Sequence, residues 1–444
     1  MLEHRGSSRQ NHTAPWKKSD AHGRPEPGSR WTRGDPRCIV SGVGDVSDGE
    51  ALGIRSSGET KFERRRRRAF LLVLAGLLVG LLVVFWSWID AQARALVVVS
   101  SVLDVPVVTP AAEVVSGGPD SSDGTVAGNP ATIIRPAGEG PWPAVFFVNG
   151  TVPEGRRLPA ARRLAGGFAR AGYLVVLPDL PGLMEDEISP ETVAETTEVA
   201  RAVSERSEAA NGEVSIVGIS TGATLALLAA EEPAVADRVS LVAGVAPYSD
   251  IRTVLNVATT GHYEAKDGTF IGHDADPFLS YVVARSTVAA LPPGDDRRDL
   301  LADLEAVDRG SPIPLGGLRL RRTEDLGPDA AAVVALLANR DPDRFGELYS
   351  GLPDGVREDL KTLSPLAGTG TIKAPVEVAT GPDDRYFPAS ESHNLAEISP
   401  RLRVTVTPAI DHAELNASLD DIPALLEFNA FVVRALREAR LEEG

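Results

Sequence analysis

The sequence predicts an α/β fold, with a mostly parallel central sheet covered by helices on both faces. Short apolar runs of strand length alternate with helix-like stretches from residue 131 onward. The runs are apolar at most positions, as is typical of strands buried on both faces. We therefore expect strands at 131–134, 144–148, 173–177, 214–217, 239–242, 376–378 and 402–406. Helices are expected at 156–171, 188–209, 222–231, 390–397 and 420–438.

The length and the charge distribution of the chain limit how it can be divided into domains. Its 444 residues allow two or three units. Residues 1–68 carry 15 Lys/Arg against 9 Asp/Glu, whereas the whole chain has a net charge of -17. The acidic remainder lacks the clustered Lys/Arg that nucleic acids require, so no nucleic-acid partner is expected. We divide the chain into a basic leader (1–68), a membrane helix (69–89), a linker (90–124), two core parts (125–248 and 372–444) and an insertion (249–371).

The membrane helix is predicted from a run of 21 residues without charge, Ala69 to Ile89. Such a run is long enough to cross a bilayer. Arg64 to Arg68 precede it, which favours a cytoplasmic N-terminus and an extracytoplasmic C-terminal domain. A signal peptide cleaved after Ala91-Gln92-Ala93 is the alternative. The length of the run and of the leader favours an uncleaved single-pass anchor.

The leader has no apolar periodicity, and this composition is typical of disorder. A second hypothesis is that translation starts further downstream. The leader contains the sole cysteine, Cys38, so the rest of the chain has neither a disulfide nor a thiolate metal site.

The motif Gly218-Ile219-Ser220-Thr221-Gly222 lies where the strand at 214–217 meets the helix at 222–231. Glycines on both sides of a serine allow a sharp strand-to-helix turn that exposes the hydroxyl. The helix N-terminus supplies backbone N–H groups for a developing oxyanion. The motif alone is weak, because short matches to it also occur in ordinary turns.

Other polar residues follow later strands of the predicted sheet. Asp383 and Asp384 come after the strand at 376–378, His412 comes after 402–406, and Thr151 comes after 144–148. In a parallel sheet the ligand crevice lies at the carboxyl ends of the strands. Ser, Asp and His in this chain order are expected for a hydrolase triad.

These motifs resemble those of α/β-hydrolases over residues about 125–247 and 370–440. Gly218 to Gly222 is similar to the nucleophile elbow, the segment 171–182 to the region of the fourth strand, and Gly381-x-x-Asp384-x-x-x-Pro388 to the acid loop. The resemblance implies Ser220 as nucleophile, His412 as base and Asp384 as its partner. It also implies an oxyanion hole from the N–H groups of Thr151 and Thr221. One departure is Asn149-Gly150, where many members have His-Gly.

Several alternatives to these assignments remain. Asp383 competes with Asp384, although the Gly-x-x-Asp spacing favours Asp384. His262, His273 and His393 are interpreted as packing or surface residues, Asp179 as a structural carboxylate, and Asp411 has no assigned role. No His/Asp/Glu group has the spacing of a metal site, and neither a metal nor a cofactor is expected.

The insertion 249–371 departs from the alternation of strands and helices. Helix-like segments occupy 277–291, 296–307, 328–339 and 353–363. Caps of α/β-hydrolases occur at this position, so these helices are expected to cover the crevice; an appendage away from the site is the alternative. We expect a membrane-anchored serine hydrolase of the carboxylesterase type, acting on an ester or related acyl group of a small-molecule substrate. An acyltransferase or a non-catalytic binding protein at the cell surface are the other possibilities.

Overall fold

The computed structural model describes residues 61–103, 118–367, 372–397, 399–412, 414–415 and 421–439, without the side chains of residues 61–65, 82–84, 87, 102–103, 397 and 414. The chain divides into two units, 1–70 and 71–444. Of the first unit only residues 61–70, the start of a helix, are described. The predicted leader and its alternative start sites therefore lie almost wholly outside the described residues.

An eight-stranded sheet forms the centre of the second unit, in the order β1-β2-β4-β3-β5-β6-β9-β10. Its strands are β1 (Asp120–Val126), β2 (Asn129–Arg135), β3 (Ala144–Val148), β4 (Leu174–Pro178), β5 (Val214–Ile219), β6 (Val239–Val245), β9 (Val376–Thr380) and β10 (Leu402–Val406). β2 runs antiparallel to β1 and β4, and the other neighbours are parallel. The predicted α/β class is confirmed, with all seven predicted strands present.

Fourteen α-helices are described in these ranges of the chain. They are α1 (Lys61–Leu103), α2 (Pro159–Arg170), α3 (Pro181–Met184), α4 (Pro190–Ser204), α5 (Thr221–Glu231), α6 (Ile251–Thr260), α7 (Pro277–Ala289), α8 (Asp295–Glu305), α9 (Gly316–Leu320), α10 (Pro328–Ala338), α11 (Pro342–Ser350), α12 (Asp354–Thr362), α13 (Ala389–Asn394) and α14 (Ile422–Glu438). Short 3-10 helices lie at Gly155–Arg157, Ala210–Gly212, Thr323–Asp325, Pro365–Ala367 and Leu395–Glu397. Two short hairpins complete the structure, β7 (His262–Glu264) with β8 (Phe270–Gly272), and β11 (Ile410–Asp411) with β12 (Glu414–Leu415).

The two faces of the sheet belong to two apolar cores. Successive strand residues point to opposite faces, so Phe146 of β3 packs with α4, α5 and the insertion, whereas Phe147 packs with α1, α2 and α14. Both phenylalanines are fully buried. Burial on both sides explains why β3 reads as an unbroken apolar run.

The segment expected to be a linker, 90–124, is ordered structure over much of its length. α1 continues to Leu103, and Ala91, Ala95 and Val98 are buried against the second core. β1 starts at Asp120 and was not predicted. β1 is a polar edge strand with mostly exposed side chains, so it lacks the apolar pattern on which the strand predictions rested.

The insertion between β6 and β9 is mainly helical and holds α6 to α12. The four helices predicted for it correspond to α7, α8, α10 and α12, whereas α6, α9, α11 and the β7–β8 hairpin were missed. Its two ends meet where Leu366 N donates to Ser249 O (3.2 Å) and Ile251 N donates to Ser364 Oγ (2.9 Å). The insertion therefore leaves and rejoins the core at one place.

The predicted membrane segment 69–89 lies within α1. Many of its described apolar side chains are exposed, among them Phe70, Leu72 and Trp86. Within the described residues, no helix meets the combined length and hydropathy of a membrane span.

Candidate active site

Ser220 lies on a tight turn between β5 and α5. Its φ of 55° and ψ of -130° place a non-glycine residue in a rarely occupied backbone region. The turn is held by hydrogen bonds from Ser220 N to Val245 O (2.7 Å) and from Ala223 N to Ser220 O (2.8 Å). The surrounding sheet thus fixes a strained conformation that presents the serine at the carboxyl edge.

The glycines around Ser220 are required because neighbouring backbone segments lie too close to leave room for a side chain. A Cβ on Gly218 would lie 2.5 Å from Ala223 Cα, and one on Gly222 would lie 2.5 Å from Val148 O. A Cβ on Gly150 would lie 3.3 Å from both Ile219 O and Ser220 Cβ. The G-x-S-x-G spacing therefore lets β5, α5 and the loop after β3 meet at the serine.

Thr151 and Thr221, the two expected oxyanion donors, lie side by side. The Thr151 hydroxyl donates to Thr221 Oγ1 at 3.2 Å. Thr221 is the first residue of α5, where backbone N–H groups have no partner within the helix. The loop of Thr151 is braced by the buried Asn149, whose Nδ2 donates to Gly155 O at 2.8 Å. Asn149 therefore supports the loop that presents Thr151.

Ser220, His412 and Asp384 form a continuous hydrogen-bonded chain. His412 Nε2 lies 2.7 Å from Ser220 Oγ, and His412 Nδ1 lies 2.9 Å and 3.0 Å from the two Asp384 carboxylate oxygens. A carboxylate only accepts hydrogen bonds, so Nδ1 carries the proton and Nε2 is free to accept from the serine hydroxyl. The structure brings together all three residues that the sequence singled out.

Backbone and aromatic groups orient the acid and the histidine. Asp384 is fully buried, and its Oδ1 accepts hydrogen bonds from Tyr386 N (2.7 Å) and Phe387 N (3.1 Å). The Tyr386 ring stacks on His412 with centroids 4.1 Å apart, and Phe387 meets the imidazole edge-on at 5.5 Å. Tyr386 and Phe387 occupy unspecified positions of the acid-loop motif, so the motif gave no signal for their role.

The competing residues lie in other surroundings. Asp383 and Asp411 are exposed, and His393 is exposed on α13. Asp179 accepts hydrogen bonds from Arg156 N (2.7 Å) and Arg156 Nε (3.1 Å). These contacts agree with the structural role expected for Asp179.

His273 lies nearer the site than the sequence indicated. Burial lowers the pKa of its imidazole, whereas the charge of nearby Asp384 acts in the opposite direction. It packs edge-on against Tyr263 in the β7–β8 hairpin. His262 of the same hairpin instead bonds Thr260 O through Nδ1 (2.9 Å). The insertion thus reaches the acid loop through His273.

A small apolar chamber lies beside Thr221, between the core and α6, α7 and α12. We call it the cap chamber; its volume is about 30 Å³, and Thr221, Tyr248, Val254, Val283 and Phe387 are among its walls. A wider cavity of about 860 Å³ lies next to it, bounded by residues that include Glu191, Arg297 and Asp359. Ile188, Ser286, Leu360 and Leu363 line both spaces. The insertion therefore forms part of the wall of a pocket that also contacts Thr221, the residue after Ser220.

No group of three or more His, Cys, Asp or Glu residues suited to a metal ion occurs among the described residues.

Known proteins match this chain at the level of a family model. The model of the X-Pro dipeptidyl-peptidase (S15) family matches residues 129–295, which run from β2 through Ser220 into the insertion. Together with the strand order and the serine turn, this match decides the fold. The chain has the α/β-hydrolase fold. A comparison with curated protein sequences finds no match.

Solved structures similar to this chain include three hydrolases of low sequence identity. They are the 2,6-dihydroxy-pseudo-oxynicotine hydrolase (18% identity, 72% of this chain and 68% of that chain, TM-score 0.38), an esterase/lipase from an uncultured bacterium (16%, 76% and 90%, 0.38) and the meta-cleavage product hydrolase of Pseudomonas fluorescens IP01 (19%, 72% and 98%, 0.35). The S15 match supports the interpretation of this chain as a hydrolase. The fold assignment rests on the strand order and the family model.

Proposed function

We propose that this protein is a serine hydrolase that cleaves an ester or a related acyl substrate through an acyl-enzyme intermediate. The observation that carries the proposal is the hydrogen-bonded chain from Ser220 Oγ through His412 to the buried Asp384. A serine hydroxyl is a weak nucleophile, and an adjacent base with a fixed orientation activates it.

Each group has a defined role in the proposed reaction. Ser220 Oγ attacks the acyl carbonyl while His412 Nε2 takes its proton, and Asp384 stabilises the imidazolium. The backbone N–H groups of Thr151 and Thr221 stabilise the oxyanion. His412 then gives the proton to the leaving alcohol, and a water molecule hydrolyses the acyl-enzyme by the same steps. No cofactor takes part in this scheme.

The small size and apolar walls of the cap chamber support the proposal that the substrate carries a small, apolar acyl group. Its volume of about 30 Å³ has room for a short chain at most. The side chains shared with the wider cavity, such as Leu360 and Ser286, stand between the two spaces. Longer acyl groups require these cap helices to move apart, as lids of enzymes do.

Labelling with a fluorophosphonate tests the proposal. The folded protein is expected to label, and Ser220→Ala is expected to abolish labelling and hydrolysis of nitrophenyl esters. The rates with nitrophenyl acetate, butyrate and octanoate show which acyl length is preferred. A faster reaction with octanoate than with acetate or butyrate would contradict the proposal that the cap chamber accepts only a small acyl group. Absence of labelling favours a non-catalytic protein. Transfer to an added alcohol in preference to water favours an acyltransferase.

Cleavage of a peptide bond after proline is the second candidate, because the S15 family model matches residues 129–295. A dipeptidyl nitroanilide with proline next to the scissile bond tests it directly. Hydrolysis of this amide at a rate comparable to that of the esters would favour the peptidase.

We also propose that residues 69–89 anchor the enzyme in a membrane, with the hydrolase domain outside the cytoplasm. The uncharged run and Arg64 to Arg68 before it support this arrangement. Cell fractionation of the full-length protein and protease treatment of intact cells test it. Recovery in the soluble fraction, or protection of the domain in intact cells, would contradict the proposal.

A further inference from the structure

The aromatic ring of Tyr386 lies flat against the imidazole of His412. The two ring centroids are 4.1 Å apart, and the ring planes meet at 25°. Phe387, in contrast, meets the same imidazole at 69° with centroids 5.5 Å apart. The His412 side chain is only 10% exposed, so solvent screens this stack weakly. Tyr386 therefore presents the face of its ring to the residue that the proposed reaction uses as its base.

Main-chain contacts on both sides of Tyr386 hold its ring in place. Tyr386 N donates to Asp384 Oδ1 at 2.7 Å, and Phe387 N donates to the same oxygen at 3.1 Å. Arg385 O accepts a hydrogen bond from Asp276 N of the insertion at 2.8 Å. Because these contacts use main-chain atoms of residues 385–387, another side chain at position 386 leaves them intact.

The stack acts differently on the two charge states of the imidazole. In the proposed reaction His412 starts neutral, with Nε2 free to accept, and becomes an imidazolium when it takes the proton of Ser220. The face of an aromatic ring is negative and attracts a cation that lies within about 6 Å of its centroid. Planar cations such as guanidinium also stack on such faces. The neutral imidazole lacks this attraction, so the contact is stronger in the transition state, where it accelerates the reaction.

We infer that the ring face of Tyr386 stabilises the positive charge that develops on His412 as Ser220 gives up its proton. Tyr386 acts through His412, beside the carboxylate of Asp384. This role depends on the serine hydrolase reaction proposed above.

Other charges also surround His412, and a test must leave them unchanged. They lie on the acid loop, next to the histidine in the chain and in the insertion, and comprise Asp383, Asp384, Arg385, Asp411, His273 and Asp276. Asp384 bonds the imidazole directly, whereas Asp383 and Asp411 are exposed. Variants that differ only in the ring at position 386 keep all of these groups. Starting from Tyr386→Phe also removes the phenol as a titratable group.

A fluorination series tests the charge effect at nearly constant ring shape. Tyr386→Phe, Tyr386→4-fluorophenylalanine and Tyr386→3,4,5-trifluorophenylalanine make the ring face progressively less negative. We expect kcat/KM for nitrophenyl acetate to fall stepwise, by about fivefold from the first variant to the last. Tyr386→Leu removes the ring and is expected to lose at least as much. Phe431→3,4,5-trifluorophenylalanine is the control and should keep the wild-type rate, because Phe431 is buried in the other core, on α14.

A second measurement needs no turnover. Nuclear magnetic resonance of histidine-labelled protein in the Ser220→Ala background follows the protonation of His412 directly, with His412→Gln identifying its signal. A ring that stabilises the charged imidazole raises the pH at which it protonates. We therefore expect this pH to fall by about 0.7 unit from Tyr386→Phe to Tyr386→3,4,5-trifluorophenylalanine, the equivalent of the fivefold change in rate.

The outcomes separate this role from the proposed function. Absence of ester hydrolysis in the wild-type protein contradicts the proposed function, and the titration of His412 then decides whether the ring stabilises the imidazolium. A loss in Tyr386→Leu without a trend along the fluorination series means that the ring only packs against His412, and this overturns the inference. The same holds if Tyr386→Leu is as active as Tyr386→Phe, or if the titration does not move.

Discussion

Two neighbouring carboxylates occupy the loop after β9, and only Asp384 contacts His412. Asp384→Asn is expected to lower kcat by about 10⁴-fold, because an amide no longer holds the imidazole in the required tautomer. Asp383→Asn is the matched control, since Asp383 is exposed and one residue away. Rates of ester hydrolysis for the two purified variants show which of the two carboxylates His412 requires. Similar losses in both variants would contradict the assignment of Asp384.

Gly222 permits the contact between the nucleophile turn and the loop after β3. A methyl group there would meet the carbonyl oxygens of Val148 and Asn149. We expect Gly222→Ala to destabilise the protein by about 3 kcal/mol, the upper range for an overpacked site, and to lower activity strongly. Gly355→Ala in α12 is the control, because no atom lies within 4 Å of its added Cβ. Urea unfolding measures both; a Gly222→Ala variant as stable as the control would be evidence against this packing.

Among the elements, strands with apolar side chains on at least one face were predictable from sequence, whereas the polar edge strand β1 was not. The buried strand β3 and the edge strand β10 were both predicted with their observed bounds, since an apolar or alternating run bounded by turns leaves little ambiguity. β1 was missed because an edge strand can be polar. The glycine spacing and the strand ends pointed to Ser220, Asp384 and His412. The contact of His273 with the acid loop was not predictable, because it depends on how the insertion packs.

The C-terminal end of α5 carries a carboxylate that is unfavourable for stability. Burial, with a smaller effect from the neighbouring Glu232, raises the pKa of Glu231 from 4.5 to about 7. The native state therefore binds a proton more tightly than the unfolded chain. The free energy of unfolding is expected to fall as the pH rises from about 4.5 to about 7 and to stay lower above that range.

Glu231→Gln is expected to remove this loss, so that the variant gains stability over wild type above pH 7 and gains little below pH 4.5. After allowance for solvent screening, the gain is about 1 kcal/mol. Glu232→Gln, at an exposed position, serves as the control and should show a smaller effect. Thermal or urea unfolding at several pH values measures the difference. An equal gain at all pH values would refute the role of the Glu231 charge.

At the scale of the molecule, the helix that carries the apolar run also completes the core of the domain that holds Ser220. Ala91, Ala95 and Val98 are buried against the sheet side of α2 and α14. Gln92 accepts a hydrogen bond from Asn429 at 3.1 Å. The close crossing with α2 depends on Gly167, where a Cβ would lie 2.9 Å from Ser101 Cβ. Residues 90–103 are therefore part of the domain rather than a spacer.

Two truncations separate the two roles of α1. A chain lacking residues 1–89 is expected to fold and to keep the ester hydrolysis proposed for the protein, because the described contacts with α2 and α14 begin after Ile89. A chain lacking residues 1–103 exposes the sheet face and is expected to lose about 3 kcal/mol, the value for burying one valine and two alanines. Within the longer chain, Gly167→Val should reproduce much of this loss, whereas Gly166→Val should not, since its added Cβ meets only the Arg170 side chain at 3.6 Å. Urea unfolding of the four proteins measures these differences. Equal stability of the two truncated chains would show that α1 contributes nothing to the domain.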